Sequence, residues 1–98
     1  MKLFKIRPDK LSTFREWGTA LMTVHRKEAE ETLREEHCTH EWFRVFQIGE
    51  DWYAAGYMEG EVHPANQDRE LNRHHRHILH ECLETEIPSE VVYDLTGG

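Results

Sequence analysis

The hairpin from Cys38 to Glu59 limits the possible folds most. Cys38 to Ile48 alternates as a strand. Trp42, Phe46 and Ile48 share one face with Cys38, His40 and Arg44. Phe43 and Val45 share the other with Thr39, Glu41 and Gln47. Large apolar groups on both faces require cover on both. The chain's own helices supply one cover, and a second subunit is expected to supply the other. Gly49-Glu50-Asp51 is a short glycine-containing turn, and Trp52 to Glu59 is the partner strand. The small residues Ala54-Ala55-Gly56 at its waist leave room above the sheet.

The flanking segments complete a βαββαβ order. Met1 to Arg7 alternates and then meets Pro8, which reads as a strand rather than a signal peptide. Lys10 to Glu36 lacks proline and is rich in Glu, Arg, Leu and Ala, predicting one long helix. Leu11, Phe14 and Leu21 form its apolar face, with Trp17 and Val24 on one edge and Met22 on the other. Farther along, the same stripe passes through His25, Glu28, Ala29 and Thr32. Either the helix end leaves the core, or a polar cavity opens beneath it. A second helix runs from Glu70 to Leu83, with Asn66 or Asp68 as its cap. Leu71, Ile78, Leu79 and Cys82 gather into one stripe with His75 in its middle. His77 and His80 face solvent, and His74 lies on the flank. Pro88 breaks the chain, and Glu90 to Leu95 is the expected last strand. The reading is a single α+β domain over residues 1–96 with a loose tail at 97–98. It is a ferredoxin-like four-stranded antiparallel sheet with two helices on one face.

Charge and composition narrow the partners. The 98 residues carry a net charge of −7 with histidine neutral. An acidic chain without a basic stripe repels phosphate backbones, so nucleic acid is not expected. The 8 histidines make that charge pH-sensitive near pH 6. No apolar run approaches the roughly 20 residues of a spanning helix, so no membrane partner is expected. Cys38 and Cys82 are isolated, which fits a reducing cytoplasm and no disulfide framework.

The chain resembles the dimeric α/β barrel superfamily, in which two such sheets face each other. The resemblance rests on Phe4-Lys5-Ile6-Arg7-Pro8-Asp9-Lys10, where a strand meets a Pro-x-Lys turn, on the Glu41 to Glu59 hairpin, and on the helix-two histidine followed by an Ile-Leu-x-x-Cys-Leu stripe. More closely, it is similar to a bacterial family of small uncharacterised proteins of that fold. The match there is Glu28-Ala29-Glu30-Glu31-Thr32-Leu33-Arg34-Glu35-Glu36, together with Glu41 and His75. The superfamily includes cofactor-free monooxygenases, haem-degrading monooxygenases, mutarotases and muconolactone isomerases. Haem degraders carry an asparagine in strand one, where this chain has Phe4 and Lys5, a departure from their pattern. The resemblance implies a homodimer with a pocket between sheet and helices; no cofactor is expected.

The candidate chemistry is proton transfer. His75 is the natural acid/base, with Glu41 or Glu28 orienting it. His25, Thr32, Phe43 and Arg44 are the candidate ligand contacts. His74, His77 and His80 recur at three-residue spacing but wind toward solvent, and no H-E-x-x-H occurs, so no metal site is expected. Two readings follow: an isomerase, mutarotase or cofactor-independent oxygenase, or a non-enzymatic ligand-binding or dimerisation module.

Overall fold

The computed structural model describes Met1–Gly98. Its elements are β1 (Lys2–Ile6), α1 (Leu11–Met22), α2 (Arg26–Glu35), β2 (Cys38–Ile48), β3 (Asp51–Gly60), α3 (Glu70–Cys82) and β4 (Leu83–Ile87). The strands form one open antiparallel sheet in the order β2-β3-β1-β4. Element order and strand order are compatible with the expected ferredoxin-like arrangement.

Register fixes which side chains share a face. Phe4 pairs with Ala54, which pairs with Val45; Lys2 pairs with Gly56, which pairs with Phe43. This face meets the helices, where Phe14, Trp17, Leu71 and Ile78 close over Ile6, Ala54 and Leu83. The Phe43 ring lies over Gly56, where an added Cβ would stand 2.7 Å from it. From there the ring meets Phe14 edge-on at 5.5 Å and Phe4 at 6.3 Å. A small residue at position 56 is what lets an aromatic ring cross the sheet.

The opposite face has no cover from this chain. Trp42 stacks on Tyr57 at 5.3 Å, Phe46 stacks on Tyr53 at 5.8 Å, and Arg44 sits 4.6 Å over the Trp42 ring. Ile48 is 63 % exposed there.

Three expectations need correction. The single helix over Lys10–Glu36 is two helices, so three helices rather than two pack on the sheet. Thr23 leaves helical geometry at φ −123°, and Ala20 O accepts from both Thr23 N and His25 N. Thr23 Oγ1 also bonds back to Thr19 O at 2.7 Å, a β-branched hydroxyl competing with the helix ladder. The last strand is Leu83–Ile87, not Glu90–Leu95. Cys82 ends α3 and its carbonyl accepts from Arg7 N at 2.8 Å, so the next residue already pairs, Leu83 with Ile6. Neither Asn66 nor Asp68 caps α3. Its N-cap position is Arg69 without a side-chain cap bond, while Asn66 Oδ1 accepts from Asp68 N and shapes the turn before it. No helix is long and apolar enough to cross a membrane.

Candidate functional site

His75 is half-buried on α3, and its Nδ1 accepts a hydrogen bond from the Trp17 indole Nε1 at 2.8 Å. An indole N–H can only donate. Nδ1 therefore carries the lone pair, and the neutral ring holds its proton on Nε2. Burial first, and the neighbouring His74 second, push the His75 pKa below its usual range. In this arrangement His75 is a neutral hydrogen-bond donor, and its basic nitrogen is already engaged. Trp17, which the sequence marks only as an edge of the helix stripe, is the hub of this region. His74 meets its ring edge-on at 4.8 Å, and His25, just before α2, lies 5.6 Å away.

Glu28 does not orient His75. Its carboxylate accepts from Arg69 Nη1 at 3.0 Å. Arg69 also grips Glu35 through Nε at 3.1 Å and Nη2 at 2.8 Å, with Glu31 at 3.8 Å. This clamp ties α2 to the start of α3 and holds the Glu35 carboxyl below its usual pKa. Thr32 is buried and donates to Glu36 Oε2 at 2.7 Å, within the core side of α2.

Glu41 is a different kind of carboxylate. It sits on β2 opposite Met58, on the helix-facing side two residues before Phe43. It is half-buried and makes no hydrogen bond to another side chain. Burial, then the nearby Glu36, raise its pKa above the usual carboxylate value. A carboxyl moved toward neutrality in this way is suited to proton transfer.

Phe43 lines an open cleft of about 360 Å³ with Phe4, Leu79 and Leu83 as its apolar floor. Arg7, His80, Thr85 and Glu86 supply its polar rim. Its volume lies within the range of small-molecule sites. Arg44 lies on the opposite face of the sheet and does not reach this cleft. Of the predicted side chains, the fold thus joins Glu41 and Phe43 along one strand face, and His75 and His25 around Trp17. It gives Glu28 and Thr32 bonds of their own.

A second cluster was not legible from helical spacing. His37, Glu61 and His63 meet where β2 begins and β3 ends, with their ligand atoms all within 4.8 Å of one another. The Glu61-Val62-His63 spacing is its only local trace in the sequence. Hydrogen bonds from His63 and His37 hold the Glu61 carboxyl below its usual pKa.

Residues 1–97 match the family of unknown function DUF6176. The chain belongs to that family. The match covers every element of the DUF6176 fold described above, including the whole cleft and Glu41. Neither the curated proteins nor the solved structures contain a match to the chain.

Proposed function

We propose that this DUF6176 protein acts on a small organic molecule by proton transfer, with Glu41 as the acid/base, as an isomerase, mutarotase or cofactor-independent oxygenase would. The carrying observation is the Glu41 carboxyl: half-buried, without a side-chain partner, and raised in pKa by burial and Glu36. Strand geometry places it roughly 7 Å along the sheet from Phe43, whose ring lines the cleft. His75, with Nδ1 held by Trp17, serves as a neutral donor rather than as the base. The Trp17–His75 bond also favours a second reading, a ligand-binding module in which that histidine is a satisfied part of the core.

We infer that the working unit is a homodimer of ferredoxin-like subunits joined through the open sheet face, as in a dimeric α/β barrel. The subunit exposes 7536 Å². A compact monomer of this mass exposes about 5,900 Å². The radius of gyration is 14.6 Å, against about 12.6 Å for a compact chain of this length. The excess surface, roughly 1,600 Å², exceeds the about 800 Å² that one partner contributes to a standard interface. Part of it belongs to the extended C-terminal residues Val91, Val92, Tyr93 and Leu95, all at least 77 % exposed. The rest fits the stacked aromatic face.

The test is an NMR screen of small lactones, phenols and keto acids, read both as amide shifts and as exchange of substrate C–H protons with D₂O. A binder is expected to shift Phe43, Leu79 and Leu83, and its exchange to stop in Glu41→Gln while binding persists. Binding without exchange supports the binding module. Exchange that survives Glu41→Gln overturns the role of Glu41.

A further inference from the structure

We propose that His37, Glu61 and His63 form a binding site for a divalent first-row transition metal with coordination positions left open to solvent.

Glu61 Oε2 lies 3.2 Å from His37 Nδ1 and 2.8 Å from His63 Nε2. Two donors on one metal, each about 2.1 Å away, stand roughly 3.0–3.4 Å apart at right-angled to tetrahedral angles. Both measured edges lie close to that span. The two imidazole rings stand 4.4 Å apart, centroid to centroid. A small opening of the two rings would admit the ion between the three donors.

The backbone holds this arrangement. His37 and Val62, neither a glycine, adopt left-handed φ angles of 54° and 52°. Such angles cost energy in a non-glycine residue and persist where surrounding structure enforces them. Two hydrogen bonds do so here: Glu61 N donates to His37 O at 3.1 Å, and His63 N donates to Glu36 O at 2.6 Å. Gly60, at φ 112°, lets the strand pass so close that an added Cβ would stand 2.5 Å from His37 O. The residues just after β3 and just before β2 are thus strapped together at the three ligands.

The donor set selects the metal. Two imidazoles and one carboxylate suit zinc, cobalt, nickel, iron or manganese, whereas calcium and magnesium prefer oxygen alone. The three side chains are 57 %, 71 % and 51 % exposed, so water or a ligand atom can complete the shell. Three protein ligands with a free position is the pattern of reactive rather than purely structural sites. The site shares no residue with the cleft or with Glu41, so it stands or falls separately from the proton-transfer reading.

The test uses the untagged full chain titrated with Co²⁺, followed by its visible absorption, with Zn²⁺ competition by calorimetry. One saturable site per chain is expected. Glu61→Gln and His63→Ala should each weaken binding at least about tenfold, since even second-shell changes cost that much. His74→Ala and His77→Ala should leave the affinity unchanged. Both ligand positions are exposed, and circular dichroism checks that each variant keeps its fold. Absence of saturable binding, or equal affinity in His63→Ala, overturns the proposal. Loss of binding in the α3 variants instead would assign the metal to the solvent-side histidine ridge and overturn it as well.

Discussion

Replacing Trp17 by Phe removes one proton donor and tests how His75 is held. The indole reaches Nδ1 across 2.8 Å, and Trp17 itself is only 8 % exposed. Phe keeps most of the apolar packing but leaves a half-buried ring nitrogen without its partner. An orphaned buried acceptor costs about 1–3 kcal/mol, and half-burial favours the lower part of that range. At about 4–8 °C per kcal/mol for a domain of this size, the midpoint of thermal unfolding should fall by roughly 5–15 °C at neutral pH. The pH dependence should change too. In the native chain the folded pKa of His75 lies below 6.5, so the unfolded chain takes up the proton first on acidification. The contribution of His75 to stability is complete above pH 6.5 and is lost as pH falls toward the folded value. Burial and His74 still hold the His75 pKa down in Trp17→Phe, but Nδ1 loses a bond made only to the neutral ring, so protonation becomes easier and this acid-side loss is flattened. Thermal unfolding across pH 5–8, paired with NMR titration of the His75 Cε1–H resonance, reads both effects. An unchanged midpoint together with an unchanged His75 titration would refute the Trp17–His75 hydrogen bond.

Three further perturbations separate the other parts of the molecule. Arg69→Ala should lower the unfolding midpoint by releasing α2 from α3, and the difference from wild type should shrink in high salt because the clamp is ionic and solvent-exposed; a salt-independent difference would contradict the ionic clamp. Gly56→Ala should destabilise by about 1–3 kcal/mol in urea unfolding, because the new methyl drives the Phe43 ring against Phe14 and Phe4. Adding Phe43→Leu should recover part of that loss, and a strictly additive double variant would speak against the clash. Glu41→Gln should stabilise the chain at pH 7: a carboxyl whose folded pKa is raised above 4.5 opposes folding once ionised, so the gain should vanish below about pH 4.

The elements differ in how far the sequence exposes them. The hairpin was legible because its alternation and its Gly49 turn are local signals, and β2 spans Cys38–Ile48 as expected. The helix break was hidden because Thr23-Val24-His25 contains neither glycine nor proline. The side-chain bond from Thr23 to Thr19 O is visible only in three dimensions. The break also answers the question posed by the polar stripe: Glu28 bonds to Arg69, and Thr32 is buried on the core side of α2 with Glu36 as its acceptor. The last strand misled because Val91-Val92-Tyr93 looks more strand-like than Leu83-Glu84-Thr85-Glu86-Ile87. Pairing is decided instead by where α3 delivers the chain, beside β1. Helical periodicity turns His75 inward on α3, and in the structure it is half-buried while His74, His77 and His80 are exposed. Its partner was not foreseeable, since Trp17 lies 58 residues away and helical periodicity says nothing of contacts between helices. The His37–Glu61–His63 cluster leaves only the Glu61-Val62-His63 spacing in the sequence, being assembled across the ends of two paired strands.

Carbon-detected NMR titration of the Glu41 side-chain carboxyl, in wild type and in Glu36→Gln, measures the property on which the proton-transfer reading rests. Glu41 is expected to titrate above 4.5 in the wild-type chain and to move downward when Glu36 loses its charge. A wild-type value at or below 4.5 that ignores Glu36→Gln would mean an ordinary solvated carboxylate, and Glu41 would then be no acid/base at neutral pH.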